Sequence, residues 1–256
     1  FVPISAREGG NLSRRAETMP WYAGPTVLEH IDAFVPSRAA VEKPLRFPVQ
    51  DVYKFTEMGD DRRIVAGAVE TGAVSVGDEV IFMPSGQRAR IATVESFNTP
   101  PLLSASSGMA AGFTLEREIY VRRGEIMCKL AAPPPLVGAR FKAHIFWMGR
   151  APMVRQKKYK LKLATTRAFI RLVEVVSCVN AVDLSTIGGK QQIERHDVAE
   201  CVLETTRPIA FDLVSDNEST GRFVVVDNYD IAGGGIITEA VESGQTVVAR
   251  QVETRE

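Results

Sequence analysis

Arg62–Phe97 reads RRIVAGAVETGAVSVGDEVIFMPSGQRARIATVESF. Val65, Val69, Val76, Val80 and Ile81 give it β-branched bulk, and Glu70-Thr71-Gly72, Gly77-Asp78 and Pro84-Ser85-Gly86 interrupt it with turn chemistry. Helical periodicity is absent, so the stretch reads as a meander of short antiparallel strands. Such strands must bury one face and hide their edges, and a small closed barrel does both. The stretch holds no acid–base pair, nucleophile or metal-ligand cluster. It is a scaffold.

The whole chain has 256 residues, which sets an expectation of roughly two domains, with one large all-β domain as the alternative. Lys plus Arg equals Asp plus Glu at 31 each, so no global field draws in nucleic acid or an anionic membrane, and only local patches could. Cys128, Cys178 and Cys201 are scattered and form no CxxC pair, which suits buried, inert thiols in a reducing cytoplasm. No apolar run reaches the ~20 residues of a membrane span. A first residue of Phe, without a charged-then-apolar leader, sets the expectation of a piece of something longer.

Phe1–Ala6 reads as a short apolar strand entering a polar loop. Gly24-Pro25 then opens a helix of about ten residues with Val27, Leu28, Ile31 and Phe34 as its apolar stripe, ended at Pro36-Ser37. Residues 1–36 form this first piece and 37–43 a linker. Strand chemistry begins at Pro44, with Phe47–Phe55 leading into the meander. Gly108–Phe113 reads as a flexible small-residue stretch, and Ile119–Val121 and Ile126–Leu130 as closing strands. Pro133-Pro134-Pro135 cannot sit in a ladder. The first barrel is therefore placed at 44–132 and a second at 137–252. In the second, Tyr159, Leu161 and Leu163 alternate with Lys158, Lys160 and Lys162, a half-buried strand. Strands also read at 140–147, 168–180, 199–204, 222–226 and 235–240, with Gly188-Gly189 and Gly233–Gly235 as turns or bulges.

Several segments carry a resemblance. They are Ser5-Ala6, Met19–Glu29 (MPWYAGPTVLE), Arg62–Val80, Trp147-Met148, Tyr159–Arg167 (YKLKLATTR), Thr205–Asp212 (TTRPIAFD) and Thr220–Ile237 (TGRFVVVDNYDIAGGGII). Together they resemble the elongation factor Tu-like translation-factor GTPases, and within them the large, GTPase subunit of bacterial sulfate adenylyltransferase. The resemblance implies a mainly β fold: two consecutive antiparallel β-barrels after a strand–loop–helix remnant of an α/β GTPase domain. It implies GTP and Mg in the parent protein but none in this fragment, since no GxxxxGK[ST] loop or NKxD motif occurs. Gly189-Lys190 is followed by Gln191 and preceded five positions earlier by Leu184, and Asp230–Gly233 fits DxxG only formally. What remains is Ser5 and Ala6, matching the family's guanine-contacting loop. The implied partners are an upstream GTP-binding domain, a small catalytic subunit that makes adenosine 5′-phosphosulfate from ATP and sulfate, and in some members a fused adenylylsulfate kinase, for which 252–256 would be a linker. Nucleic acid is disfavoured, no membrane is expected, and the setting is cytoplasmic.

Other residues are candidate sites. His196 beside Glu194 and Asp197 could hold a metal or act in acid–base chemistry, but loop polarity explains the trio equally well. Arg150, Arg155, Lys157, Lys158, Lys160, Lys162, Arg167 and Arg171 could contact phosphate; the preferred reading is a solvated strand face whose lysines also guard an edge. Trp21 and Tyr22 read as packing residues at a domain junction. The resemblance implies two functions, the barrel region of a sulfate adenylyltransferase GTPase subunit or a tRNA- or ribosome-binding barrel module of a translation factor; a free-standing enzyme is the weakest reading, because no catalytic constellation emerges.

Overall fold

The computed structural model describes residues 1–34, 40–54, 62–96, 100, 102–182, 185–186 and 189–241. Phe55, Phe97, Leu184, Gly188 and the segments 35–39 and 252–256, each given a reading above, lie outside them. The chain divides into two compact units, 1–39 and 40–256.

In the first unit, helix α1 (Val27–Asp32) starts where Thr26 and Glu29 form a reciprocal capping box. Glu29 N donates to Thr26 Oγ1 at 3.2 Å and Thr26 N donates to Glu29 Oε2 at 2.7 Å. The helix is six residues long, shorter than the stripe suggested, and Leu28, Ile31 and Phe34 are exposed. Phe1–Ala6 does not form the expected strand. Ser5 makes only an isolated bridge with Gly10, because this stretch has no neighbouring strand among the described residues to complete a ladder.

The second unit holds two closed six-stranded antiparallel barrels. The first is built from β1 (Phe47–Lys54), β2 (Arg63–Ala68), β4 (Glu79–Met83), β5 (Gln87–Glu95), β7 (Ala110–Leu115) and β8 (Ile126–Lys129), paired in the order β1-β2-β7-β5-β4-β8. A separate ribbon pairs β3 (Ala73–Ser75) with β6 (Ser104–Ser106). Phe47, Phe82, Phe113, Ile91 and Met127 fill the interior, Phe47 meeting Phe113 edge to face at 4.9 Å. Two readings are corrected here. Ala110–Leu115 is a strand held by β2 and β5, whereas Ile119–Val121 is irregular. Gly112 of β7 answers crowding: a Cβ there would collide with Ile64 Cγ2.

The second barrel comprises β9 (Leu136–Trp147), β10 (Tyr159–Leu163), β11 (Thr166–Asn180), β12 (Asp197–Phe211), β13 (Arg222–Asp227) and β14 (Asp230–Val241), ordered β10-β11-β12-β9-β14-β13. Four of these run for 12–15 residues and bend around the ring through register shifts such as Leu172/Glu174 and Glu204/Ile209. Gly233–Gly235 lie inside β14, where the pairing steps from Ile231 to Gly233 and leaves Ala232 as the extra residue. Trp147 and Tyr159 stack edge to face at 5.5 Å in the core. Their polar tips are satisfied: Trp147 Nε1 donates to Ala151 O at 2.8 Å, and Tyr159 OH accepts from Val154 N at 2.9 Å.

Candidate functional site

The seam between the barrels is a built feature. Met83, Ile126 and Cys128 of the first barrel pack with Ala210 of the second, flanked by Ile81 and Val137. Beside them Arg46, just before β1, reaches Asp212, just after β12. Nε donates to Oδ2 at 2.8 Å and Nη2 to Oδ1 at 2.9 Å, while Nη1 donates to the carbonyls of Leu45 and Pro133 at 3.0 and 3.1 Å. Thr220 Oγ1 also donates to Asp212 Oδ2, at 2.5 Å. The pair is buried, and the planar fork makes four hydrogen bonds. Nearby Asn217 caps the short helix α2 (Glu218–Gly221) with Oδ1, and its Nδ2 donates to Thr71 Oγ1 at 3.0 Å. Thr71 Oγ1 in turn donates to Pro44 O at 2.7 Å.

On another part of the seam, Thr166 Oγ1 donates to Gly124 O at 2.7 Å. Gly124 has φ +90°, and a Cβ there would stand 3.0 Å from Thr166 Cα, so both its conformation and its approach to the second barrel require glycine. An open hollow of about 350 Å³ lies here. Pro84, Ser85, Gln87, Tyr120 and Arg122–Glu125 of the first barrel form one wall, and Thr166 and Arg207–Ile209 of the second form the other. Arg122, Arg123 and Arg207 are exposed along it, whereas Glu125 is buried in the floor and accepts from Ser85 Oγ at 3.0 Å. Burial pushes the Glu125 carboxyl above its ordinary range, against the pull of Ser85 and of the Arg122 and Arg207 charges. The sequence reading missed all of these residues. The Arg122-Arg123-Gly124 run was their one local trace.

The singled-out residues fall as follows. Ser5 is half-buried and Ala6 exposed; the Ser5 backbone is already engaged, its N donating to Gly10 O and its O accepting from Gly9 N. Glu194 and Asp197 do come together, around a lysine, whereas His196 is exposed and its backbone N donates to Trp147 O. Lys190 Nζ donates to Asp197 Oδ2 at 2.7 Å and to Glu194 Oε2 at 3.2 Å, and Glu194 N donates to Asp197 Oδ2 at 2.8 Å. Asp197 is fully buried; burial pushes its carboxyl up, and Lys190 with the Glu194 amide outweighs that and holds it below its usual value. This is an ion-paired loop clamp. No cluster of three potential metal ligands occurs among the described residues. It also shows why Gly189-Lys190 cannot cradle phosphate: the ammonium is committed to carboxylates.

The basic residues of β10, Lys160 and Lys162, do point outward, as does Lys158 just before it, but the strand pairs with both β11 and β13 and is no edge. The edge-guarding part of that reading therefore falls. Lys157 is bound to Asp227 at 2.6 Å and Arg171 to Glu204. All three cysteines are buried, and burial pushes their thiols up, Cys128 and Cys178 to about 11 and Cys201 to about 12.

Residues 140–238, nearly the whole second barrel, match the family model described as GTP-eEF1A C-terminal domain-like. Two closed six-stranded barrels in tandem, the second of this kind, place the chain in the translation-factor GTPase superfamily, to which it belongs. It is 33% identical over 248 residues to the bifunctional enzyme NodQ of Rhizobium sp. strain N33, across 96% of this chain and 38% of that one. It is 35% identical over 232 residues to elongation factor 1-alpha of Thermoplasma acidophilum (89% and 53%), and 32% identical over 250 residues to sulfate adenylyltransferase subunit 1 of Saccharophagus degradans (96% and 51%). The chain thus spans about half or less of these relatives. The fold is shared with Sup35 solved with GDP, at a TM-score of 0.72 and 19% identity over 94% of this chain and 58% of that one. No helix among the described residues is long and apolar enough to cross a membrane.

Proposed function

We propose that this chain is the barrel region of the GTPase subunit of a cytoplasmic sulfate adenylyltransferase, supporting GTP-driven formation of adenosine 5′-phosphosulfate for sulfate assimilation. The observation that carries this reading is the reach of the likeness: 250 residues with sulfate adenylyltransferase subunit 1 and 248 with NodQ, across both barrels and the first unit. The elongation factor 1-alpha relative supports the second reading, a tRNA- or ribosome-binding barrel module. In the proposed role the barrels are a docking body, held in fixed mutual register by the seam, for a GTP-binding domain of the same protein and a small catalytic subunit. An adenylylsulfate kinase domain is a further proposed neighbour.

The residues present do not fit GTP and Mg by themselves. Ser5 and Ala6 could border a guanine edge, but Lys190 is taken up by Asp197 and Glu194, and no phosphate cradle forms among the described residues. No step of nucleotide chemistry is therefore assigned to this chain. A titration with a fluorescent GTP analogue is expected to show no saturable signal, and micromolar binding would overturn that part of the proposal. For the whole, an affinity capture should retain the small subunit of sulfate adenylyltransferase and leave aminoacyl-tRNA unbound. The reverse outcome selects the translation-factor role.

A further inference from the structure

The hollow at the seam sets three guanidiniums against one carboxylate. Arg122 and Arg123 come from the loop before β8, and Arg207 comes from the register shift in β12, so two separate barrels supply the charge. None of the three guanidiniums is bonded to a carboxylate among the described residues. Arg122 lies over the Tyr120 ring at 5.0 Å, and Arg207 Nη2 donates to the Arg167 carbonyl at 3.3 Å. Many other arginines here are ion-paired, among them Arg46, Arg90, Arg140, Arg171 and Arg222. The Gly124–Thr166 hydrogen bond ties the wall that carries Arg122 and Arg123 to the wall that carries Arg207.

We propose that this hollow docks an acidic segment of a partner protein, with two side-chain carboxylates seated on the Arg122, Arg123 and Arg207 forks. Guanidiniums bind carboxylates and phosphates alike in a planar, two-bonded fashion, and the walls decide between them. Pro84, Tyr120, Pro208 and Ile209 supply apolar surface suited to the aliphatic stems of a peptide. The inference goes beyond the proposed function and holds for either superfamily role.

The test is fluorescence polarisation on the whole chain, with labelled hexaglutamate, labelled hexaglutamine and a 5′-phosphorylated RNA hexanucleotide as probes. The variants are Arg123→Ser/Arg207→Ser and, as a remote basic control, Lys158→Ser/Lys160→Ser, with thermal melts verifying that both fold. Hexaglutamate should bind, hexaglutamine should not, and the arginine variant should weaken hexaglutamate about tenfold while the lysine variant leaves it unchanged. Equal weakening by both variants would reduce the effect to general electrostatics and overturn the proposal. So would RNA binding more tightly than hexaglutamate with the same dependence on Arg123 and Arg207, which would make the hollow a phosphate site. Failure of the sulfate adenylyltransferase reading in affinity capture would leave this result untouched.

Discussion

Glu125 and Glu204 show how position turns one side chain into two opposite contributors. Glu204 is held below its usual value because Arg140 and Arg171 outweigh its burial, so its contribution is present above the unfolded value of 4.5 and is lost as pH falls through the folded value. Glu125 is shifted the other way by burial. Its folded form prefers the proton, so stability is lost as pH rises from 4.5 through the raised folded value. Glu125→Gln keeps an acceptor for Ser85 and removes the buried charge. Its melting temperature should match the parent below about pH 4 and exceed it by a few degrees near pH 7, in paired melts across that range. A constant difference at all pH values would mean that Glu125 carries no buried-charge penalty. None of this could be read from the sequence, where Glu125 is one acid in a charged loop and its neighbours Ser85 and Arg207 lie far along the chain.

At the scale of the element, β14 makes the sharpest case. Gly235 and Gly234 are adjacent, yet a Cβ on Gly235 would stand 2.5 Å from the Phe223 ring and 2.6 Å from the His144 carbonyl, while one on Gly234 would meet only Phe223 O at 3.7 Å. Gly235→Ala should cost about 1–3 kcal/mol through overpacking. Gly234→Ala should be neutral or stabilising by up to about 1 kcal/mol, because it restricts the unfolded chain. Urea unfolding of the two variants checks the opposite signs. Strand chemistry of the ordinary kind was legible beforehand: β10 alternates Tyr159, Leu161 and Leu163 inward with lysines outward, as its sequence says. The failures have a common cause. Ala110, Ala111 and Gly112 look like a loop because strand propensity measures packing against neighbours, and at Gly112 the neighbour Ile64 leaves no room for a side chain. Ile119–Val121 has β-forming side chains, but β7 already occupies the place between β2 and β5.

Across the larger unit, the barrels are joined by a charge pair separated by 166 positions, which no local pattern signals. Arg46→Ala would leave Asp212 buried with only Thr220 as partner and should cost about 3–5 kcal/mol. Asp212→Ala should cost a similar amount. The double variant Arg46→Met/Asp212→Leu should cost clearly less than the two single changes added together, because neither charge is then orphaned. Denaturant unfolding of all three gives the coupling, and simple additivity would show that the fork does not tie the barrels together. The architecture itself was legible because turn spacing and the proline run at 133–135 separate two strand-rich stretches. The seam was not, since it exists only after both rings have closed.

Closure has a last consequence. A ring of strands has spent its main-chain donors and acceptors on itself, and among the described residues only the β3–β6 ribbon stands outside a ring. A visitor therefore finds almost no backbone to knit onto, and neither fibril-like growth nor borrowed-strand pairing has a template on the barrels. Recognition must be spelled out in the outward chemistry of side chains, where a few exchanges can redirect the choice of companion without disturbing the frame beneath.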